Sequence, residues 1–339
     1  MRRTGIAIIG LGPASQPHAG SLAALSDRVR VVWAASRSAE RTAAFEAAHG
    51  HPVTNDIQQA ITDPAVDAVL VLTPPATHGA VAERCFAAGK HVLVEKPLEL
   101  SVERGRLLVE AGRRSGKRLG IVLQHRFRPA SLRLREVLRS GMLGPVEAAS
   151  MTVPWWRPQA YYDEPGRGTM ARDGGGVLLT QAIHTLDLFR SLVGVSEVVA
   201  AQVATTGLHR METEDYVSAL VRLGNGAPGT ITATTAFAPG HPERIEIMGR
   251  AGAARLIGGR LEVDGLDGHR EVVEAEGSTG SGANIMDFPI DAHVALIADF
   301  LDACEADRDP AVTGEEALAS QILVDDILRA GRTGAETGR

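Results

Sequence analysis

In the first 123 residues, short apolar segments alternate with segments of helical pattern. The apolar segments are residues 5–9, 29–35, 66–73, 91–94 and 119–123. Consecutive apolar positions are typical of strands that are buried on both faces of a parallel sheet. Parallel strands need crossover connections, which the intervening helical segments supply. The pattern predicts a Rossmann-like domain over residues 1–123, that is, a doubly wound parallel sheet of α/β class.

Residues 124–339 have a different pattern. Segments of strand pattern follow one another here without intervening helices, and Leu223-Gly-Asn-Gly226 has the composition of a hairpin turn. Helices are predicted over 177–193, 292–305 and 315–330, and a glycine- and serine-rich loop over 277–285. We therefore predict an α+β domain over residues 124–339 with a large, mainly antiparallel open sheet. Its predicted strands are 152–156, 198–204, 217–223, 229–235 and 244–248.

Composition excludes several classes of protein. The net charge is −6 and the isoelectric point is near 6.0, whereas a general nucleic-acid binder is usually basic. Since no apolar run approaches about 18 residues, we expect no membrane span. Cys85 and Cys304 are too isolated for a disulfide framework or a metal clip, so we predict a cytoplasmic protein without a metal site.

A glycine-containing turn follows the first predicted strand and precedes a helix. In that context G-x-G-x-x-G/A is the dinucleotide-binding fingerprint. The first glycine permits the tight turn, the second lets the backbone approach a pyrophosphate, and the helix N-terminus attracts the phosphates. A serine at the third position is a small departure. The predicted cofactor contacts of this turn are Gly10, Gly12, Pro13, Ala14 and Ser15.

The end of the second predicted strand bears on the choice of cofactor. An acidic residue there accepts hydrogen bonds from the adenosine ribose of NAD, but this chain has none at the expected position. Serine and arginine side chains can instead bind a 2′-phosphate. We therefore favour NADP(H) over NAD(H), which stays possible, with contacts from Ser36, Arg37, Ser38 and Arg41. The alternative is that Arg37 stacks on adenine and Ser38 only caps its helix.

Three motifs resemble one known family. They are Thr73-Pro-Pro-Ala-Thr-His78, Glu95-Lys-Pro97 and the segment from Gly174 to Asp187, GGGVLLTQAIHTLD. Together with the glycine turn they resemble the Gfo/Idh/MocA family (glucose–fructose oxidoreductase and inositol dehydrogenase) over nearly the whole chain. The stretch from Arg157 to Thr169 looks like a branch that includes nucleotide-sugar 3-dehydrogenases.

The resemblance implies an NAD(P)-dependent oxidoreductase with two domains. Its members transfer a hydride between nicotinamide and a secondary alcohol or ketone of a sugar, nucleotide sugar or cyclitol, and they are usually homodimers or homotetramers. The family places the cofactor at the carboxyl ends of the Rossmann strands and the substrate against the open sheet of the second domain. Further cofactor contacts are implied for Thr73, Pro74, His78, Glu95, Lys96, Pro97 and Gln124.

Two residues are implied in proton transfer. Lys96 matches a family lysine that lies beside the nicotinamide ribose. The peptide between this lysine and the next proline, Pro97 in this chain, is often cis in the family. His184 matches the family histidine. Many members have an aspartate four residues before this histidine, whereas this chain has Thr180 there. Thr180 can share a helix face with His184, but it carries no charge. Substrate contacts are implied for Lys96, His125, Arg126, Trp155, Tyr162, Arg167, Thr180, Gln181 and His184.

Two alternatives stay open. One keeps hydride transfer but changes the substrate to a trans-dihydrodiol or another non-sugar compound. The other is a non-catalytic dinucleotide-binding regulator of the same fold, because fold alone does not decide function. Lys96 and His184 argue against the regulator, whereas Thr180 argues mildly for it. The identity of the substrate and the direction of the reaction are not predicted.

Overall fold

The computed structural model describes residues 2–274 and 289–337, so the predicted loop over 277–285 lies outside the described residues. The chain divides into two compact units. The first unit consists of Met1–Leu123 and Ile290–Ala319, and the second of Gln124–Pro289 and Ser320–Arg339. Within the described ranges, no helix is both long enough and apolar enough to cross a membrane.

The first unit contains the predicted parallel sheet. Its strand order is β3-β2-β1-β4-β5-β6, and every neighbouring pair is parallel, as in the Rossmann arrangement. The strands are β1 (Thr4–Ile9), β2 (Val29–Ala35), β3 (Val53–Thr54), β4 (Ala68–Val71), β5 (His91–Val94) and β6 (Leu119–Ile121). The helices between them are α1 (Ser15–Ala24), α2 (Ala39–His49), α3 (Ile57–Thr62), α4 (His78–Ala87) and α5 (Val102–Ser115). Strands β1 and β4 are almost wholly buried, which explains their continuous apolar sequence.

A late segment of the chain completes this unit. Helix α11 (Asp291–Glu305) packs against α1, and Thr313 forms a bridge with Gly120 in β6. Gly120 has no room for a side chain, because a Cβ atom there would lie 2.9 Å from the Phe300 ring. The predicted second domain ran unbroken from 124 to 339, whereas the structure groups 290–319 with the first unit.

The second unit is built on an eight-stranded sheet of order β14-β13-β12-β11-β7-β10-β9-β8. Only the β7–β10 pair is parallel among these described strands, so the sheet is mainly antiparallel, as predicted. The strands are β7 (Val146–Pro154), β8 (Val195–Ala204), β9 (Tyr216–Leu223), β10 (Pro228–Thr234), β11 (Arg244–Gly249), β12 (Gly252–Ile257), β13 (Arg260–Gly265) and β14 (Arg270–Val273).

Three helices pack against this sheet. Helix α6 (Pro129–Arg139) contacts β12 and β13, α9 (Val177–Thr180) contacts β9 and β10, and α10 (Ile183–Val193) contacts β7 and β11. The short helices α7 (Gln159–Tyr162) and α8 (Met170–Asp173) also belong to the second unit, as does most of α12 (Gly314–Thr337), which begins in the first unit. In β9 buried and more exposed residues alternate, and Leu220, on the opposite face from Val221, is 55% exposed.

The predicted helix over 177–193 is corrected by the structure to two helices, α9 and α10, separated at Gln181 and Ala182. Thr180 is therefore the last residue of one helix, and His184 lies in the first turn of the next. The expectation that they share a face of one continuous helix is wrong, since the four-residue spacing applies only within a helix.

Candidate functional site

The glycine turn after β1 has the geometry that its sequence predicts. Gly10 adopts φ +106°, which favours glycine, and a Cβ atom there would lie 2.6 Å from the Leu72 carbonyl carbon and oxygen. The residues after Gly12 lead directly into α1, where Ser15 N and Gln16 N donate to the Gly12 and Pro13 carbonyls. Ala14 is the N-cap residue of α1 and gives no side-chain cap.

Ser15 fits the third fingerprint position because its hydroxyl is satisfied within the turn. Its Oγ is 2.7 Å from the Gly12 carbonyl oxygen, to which it donates, and the residue is buried. A buried hydroxyl without a partner is costly, whereas this one is paired locally. The turn therefore tolerates serine where glycine or alanine is usual.

The end of β2 presents two serines and two arginines. Ser36 Oγ accepts from Ser38 N at 3.2 Å, and Ser38 Oγ accepts from Arg41 N at 3.3 Å, which makes Ser38 the N-cap of α2 as predicted. Arg37 is exposed. The Arg41 side chain extends toward the glycine turn, since its Nη1 would lie 3.9 Å from a Cβ atom on Gly12. Positive charge thus lies beside the predicted phosphate-binding turn.

His78 connects the turns that follow β4 and β5. Its Nε2 lies 2.8 Å from the Thr73 carbonyl oxygen and its Nδ1 lies 3.0 Å from the Pro97 carbonyl oxygen. The ring is fully buried, and this burial lowers the pKa of His78. Pro74 precedes a short 3₁₀ turn and its carbonyl accepts from Thr77, while the Lys96–Pro97 peptide is cis, as the resemblance implied. His78 is therefore in contact with both turns rather than presented to solvent.

The Glu95 carboxylate lies at the carboxyl end of β5. His18 Nε2 donates to its Oε1 at 2.8 Å, and Lys96 N donates to its Oε2 at 2.9 Å. Burial by itself would raise the pKa of Glu95, but the hydrogen bond from His18, with the charges of His18 and Lys96, lowers it to about 2. The potential ligand atoms of Glu95, His18 and His293 lie within 4.8 Å of one another. No motif in the sequence indicated this cluster or His18.

In the second unit, His184 lies next to His125. Their ring centroids are 5.0 Å apart, and Arg128 Nη2 lies 2.6 Å from His125 Nε2. His125 belongs to a short 3₁₀ turn, Gln124–Phe127, that directly follows the first unit along the chain, and Gln124 is half-buried within it. The structure thus brings two of the predicted substrate residues together, although they are distant in sequence.

Arg126 and Asp187 form a buried ion pair. Arg126 Nε lies 2.6 Å from Asp187 Oδ2, and Nη2 lies 2.7 Å from Oδ1. Ser320 Oγ also donates to Oδ1 at 2.7 Å. These contacts give Arg126 a structural role in the second unit, and its contact with substrate stays a prediction.

Gln181, at the break between α9 and α10, belongs to a polar network. Arg157 Nε donates to Gln181 Oε1 at 3.0 Å, and Gln181 Nε2 donates to Tyr161 Oη at 3.1 Å. Thr180 Oγ1 donates to the Gly176 carbonyl at 2.7 Å. Arg157 is buried, which lowers its pKa. The network orients the Gln181 amide, and sequence analysis did not anticipate the part of Arg157 in it.

Three aromatic or cationic residues near this network have defined partners. Trp155 is buried and its Nε1 donates to Glu243 at 3.3 Å. Tyr162 is buried with its Oη 2.7 Å from Thr235 Oγ1, and burial raises the pKa of Tyr162. Arg167 stacks on the Tyr161 ring, 4.0 Å from its centroid. For Trp155, Tyr162 and Arg167 these are contacts within the second unit, and their predicted contacts with substrate stay predictions.

Two family models match the chain. Residues 4–122 match the NAD-binding Rossmann fold of an oxidoreductase family, and residues 131–255 match the GFO/IDH/MocA C-terminal domain. The 1,5-anhydro-D-fructose reductase of Ensifer adhaerens is 30% identical over 310 residues, covering 90% of this chain and 89% of that protein. The inositol 2-dehydrogenase of Rhizobium meliloti is 27% identical over 336 residues, covering 95% of each.

Solved structures show the same likeness. The WlbA dehydrogenase of Bordetella pertussis, in complex with NADH and UDP-GlcNAcA, is 30% identical with a TM-score of 0.84 and covers 98% of both chains. A levoglucosan dehydrogenase in complex with NADH and levoglucosan is 21% identical with a TM-score of 0.87 and covers 98% of both chains, which shows the shared fold. The matches confirm the resemblance seen in the sequence: this chain belongs to the Gfo/Idh/MocA family of NAD-binding oxidoreductases.

Proposed function

We propose that the protein interconverts a secondary alcohol and a ketone on a sugar, nucleotide sugar or cyclitol. One observation carries the proposal. Lys96 follows β5 and the glycine turn follows β1, and the carboxyl ends of parallel strands meet at one edge of the sheet, where dinucleotides bind. The first unit is then the dinucleotide-binding domain and the second unit the substrate-binding and oligomerisation domain. The compounds named for the relatives above, inositol, anhydrofructose and a UDP-sugar, support the substrate class.

The chemistry requires one hydride and one proton to move. Nicotinamide, when bound, accepts or supplies the hydride. The substrate hydroxyl releases its proton on oxidation, and a basic side chain must accept it. We assign this proton transfer to Lys96 and His184, and hydroxyl binding to Thr180, Gln181 and His125. Thr180 carries no charge, in contrast to the aspartate that many family members have at this position.

Substitution of the proposed base tests this assignment. Lys96→Met is expected to lower kcat by a factor of roughly 10²–10⁴, the usual contribution of a positioned acid or base. Lys117→Met is the matched control, because it removes a lysine elsewhere in the same unit, and it should keep wild-type kcat. Reduction of the cofactor at 340 nm with a panel of cyclitols and sugars measures both. Wild-type kcat in Lys96→Met would rule out the assignment.

For the cofactor we propose a preference for NADP(H), with NAD(H) as the alternative. Ser36, Ser38 and Arg41 are joined in a chain of backbone-to-hydroxyl hydrogen bonds, and the Arg41 guanidinium extends toward the glycine turn. A charge-assisted pair with a 2′-phosphate contributes about 1.5–3 kcal/mol, or roughly 10- to 150-fold in Kd.

A fluorescence titration with NADPH and NADH tests this preference. We expect tighter binding of NADPH, and a loss of at least tenfold for NADPH alone in Arg41→Ala. Arg106→Ala, which removes an exposed arginine of α5, is the control and should leave both affinities unchanged. Tighter binding of NADH to the wild type would overturn the preference and leave the family assignment intact. Failure of both to bind would contradict the proposed dehydrogenase. Binding of a cofactor without turnover of any compound in the substrate panel would favour the non-catalytic regulator.

One relative favours the alternative substrate class. The 1-carboxy-3-chloro-3,4-dihydroxycyclo hexa-1,5-diene dehydrogenase of Comamonas testosteroni is 31% identical over 201 residues, covering 58% of this chain and 48% of that protein. A cyclic dihydrodiol therefore belongs in the substrate panel. Turnover of the dihydrodiol without turnover of any sugar or cyclitol would select this alternative.

We also propose a homodimer or homotetramer in a cytoplasmic setting. Leu220 and Met248 are 55% and 50% exposed on the second sheet, and a second copy of the chain would cover such residues. Cys85 and Cys304 are free thiols, as is usual in a reducing compartment. Light scattering should give two or four times the chain mass of 35.8 kDa. A mass of one chain would exclude the proposed assembly.

A further inference from the structure

We propose that His18 is a positioning residue for Lys96 and acts through the Glu95 carboxylate. The proposal rests on the proposed role of Lys96 and adds a residue that no motif assigns to the reaction. His18 lies on α1, whose first turn follows the predicted phosphate-binding turn, and it is fully buried. It is 77 residues away from Glu95 in sequence.

The Glu95 carboxylate has one oxygen for each neighbour. Oε1 accepts from His18 Nε2 at 2.8 Å, and Oε2 accepts from the backbone nitrogen of Lys96 at 2.9 Å. Hydrogen bonds to an ionised carboxylate are shorter and stronger than those between neutral groups. The backbone of Lys96 is therefore tied through Glu95 to the helix that begins at the glycine turn. A shift of His18 would move the carboxylate and with it the turn that carries Lys96.

His293 packs against the ring of His18. Its ring is 5.5 Å from the His18 ring at an angle of 89°, an edge-to-face contact that restricts rotation of His18. Because His293 lies on α11, the late segment of the chain also contributes to the orientation of His18. Three elements of the first unit, α1, the end of β5 and α11, thus meet at one carboxylate.

A metal ion is the competing explanation for two histidines and a carboxylate. Tetrahedral zinc, with bonds of about 2.0–2.1 Å, holds its ligand atoms roughly 3.3 Å apart. The 2.8 Å separation of His18 Nε2 and Glu95 Oε1 is that of a hydrogen bond, in which a proton lies between the two atoms. The geometry therefore favours a direct His18–Glu95 contact over coordination.

Two substitutions of His18 distinguish the effect of its hydrogen bond from the effect of its side-chain volume. In His18→Gln the amide nitrogen can take the place of Nε2 and donate to Glu95. His18→Met has a side chain of similar length without a donor. If the hydrogen bond positions Lys96, His18→Gln should resemble the wild type and His18→Met should not. If packing alone matters, the two variants should behave alike.

The reactivity of Lys96 gives a readout that needs no substrate. The chain has three lysines, Lys90, Lys96 and Lys117, so labelling with acetic anhydride followed by mass spectrometry resolves each rate. In His18→Met we expect the Lys96 rate to change by threefold or more relative to Lys117, and in His18→Gln by less than 1.5-fold. An unchanged Lys96 rate in His18→Met, or equal changes in both variants, would overturn the proposal.

Further measurements keep the outcomes distinct. If His18→Met fails to fold, Glu95→Gln takes its place in the labelling experiment. The glutamine amide has only one oxygen to accept from the two donors, His18 Nε2 and Lys96 N. An unchanged rate of Lys96 labelling in Glu95→Gln would overturn the proposal. If Lys96 reactivity changes in His18→Met while kcat does not, positioning stands and the proposed role of Lys96 fails. One equivalent of zinc in the purified wild-type protein, absent from His18→Met, would overturn the proposal in favour of coordination.

Discussion

Replacing Asp187 with alanine is expected to destabilise the second unit by about 3–5 kcal/mol, the usual loss on removing one partner of a buried ion pair. Asp187 is fully buried and its two oxygens contact Arg126 at 2.6 and 2.7 Å, while Ser320 donates to one of them. The substitution removes both carboxylate oxygens from the guanidinium of Arg126, whose side chain is itself only 7% exposed. The buried charge of Arg126, no longer neutralised by Asp187, accounts for most of the expected loss in the free energy of unfolding.

Urea unfolding followed by tryptophan fluorescence can measure this loss in the second unit alone. Trp155 and Trp156 lie in the second unit and Trp33 in the first, so a Trp33→Phe background restricts the signal. With an m-value of about 3 kcal/mol/M, the expected loss lowers the midpoint by roughly 1–2 M.

Two variants calibrate the Asp187→Ala result. Asp187→Asn keeps one oxygen but no charge, and its midpoint should fall between those of the wild type and Asp187→Ala. Asp264→Ala removes a partner of an exposed ion pair with Arg270 and should cost about 0–1 kcal/mol. If Asp187→Ala shifts the midpoint no more than Asp264→Ala does, the reasoning about the buried pair is refuted.

Three further outcomes are expected. Gly176→Ala should lower the melting temperature by several degrees, since its Cβ would lie 1.9 Å from the Glu214 carbonyl oxygen, whereas Gly207→Ala has open space and should be neutral in calorimetry. Glu95→Gln should reduce the slope of the free energy of unfolding against pH by up to about 1.4 kcal/mol per pH unit between about pH 4.3 and pH 2. The reason is that the lowered pKa of Glu95 stabilises the folded unit above this window, and that stabilisation is lost as the pH falls through it. Urea titrations followed by Trp33 fluorescence test this, and an unchanged slope contradicts it. Tyr162→Phe should cost about 0.5–1.5 kcal/mol in urea unfolding through its bond to Thr235, and no loss would mean that the bond contributes nothing.

The first unit was largely predictable because its signals are local. Buried strands, the glycine turn and the Ser38 cap each depend on a few neighbouring residues, and all appear in the structure. The two-residue strand β3 and helix α3 were not predicted, since so short a strand has no measurable periodicity. Strands β12 to β14 were also missed, because they are only four to six residues long and lack the continuous apolar runs of the first unit.

The candidate site was less predictable because its contacts are distant in sequence. Motifs indicated Lys96, His78 and His184, but not the atoms that hold them. His18 and Glu95, or Arg126 and Asp187, meet only once the fold has formed. The break between α9 and α10 falls at Gln181-Ala182, where neither glycine nor proline marks it. Motifs therefore indicated candidate residues for the site but not how those residues are arranged.

The late return of residues 290–319 to the first unit has a consequence for biosynthesis. The strands of the parallel sheet are synthesised long before α11 and Thr313. Yet α11 packs on α1, and Thr313 forms a bridge with β6. The second unit also waits for residues after Ser320. Neither unit is complete until residues beyond Pro289 have been synthesised, so the nascent chain exposes apolar surface until then. A fragment that stops at Leu123 should consequently aggregate rather than fold on its own.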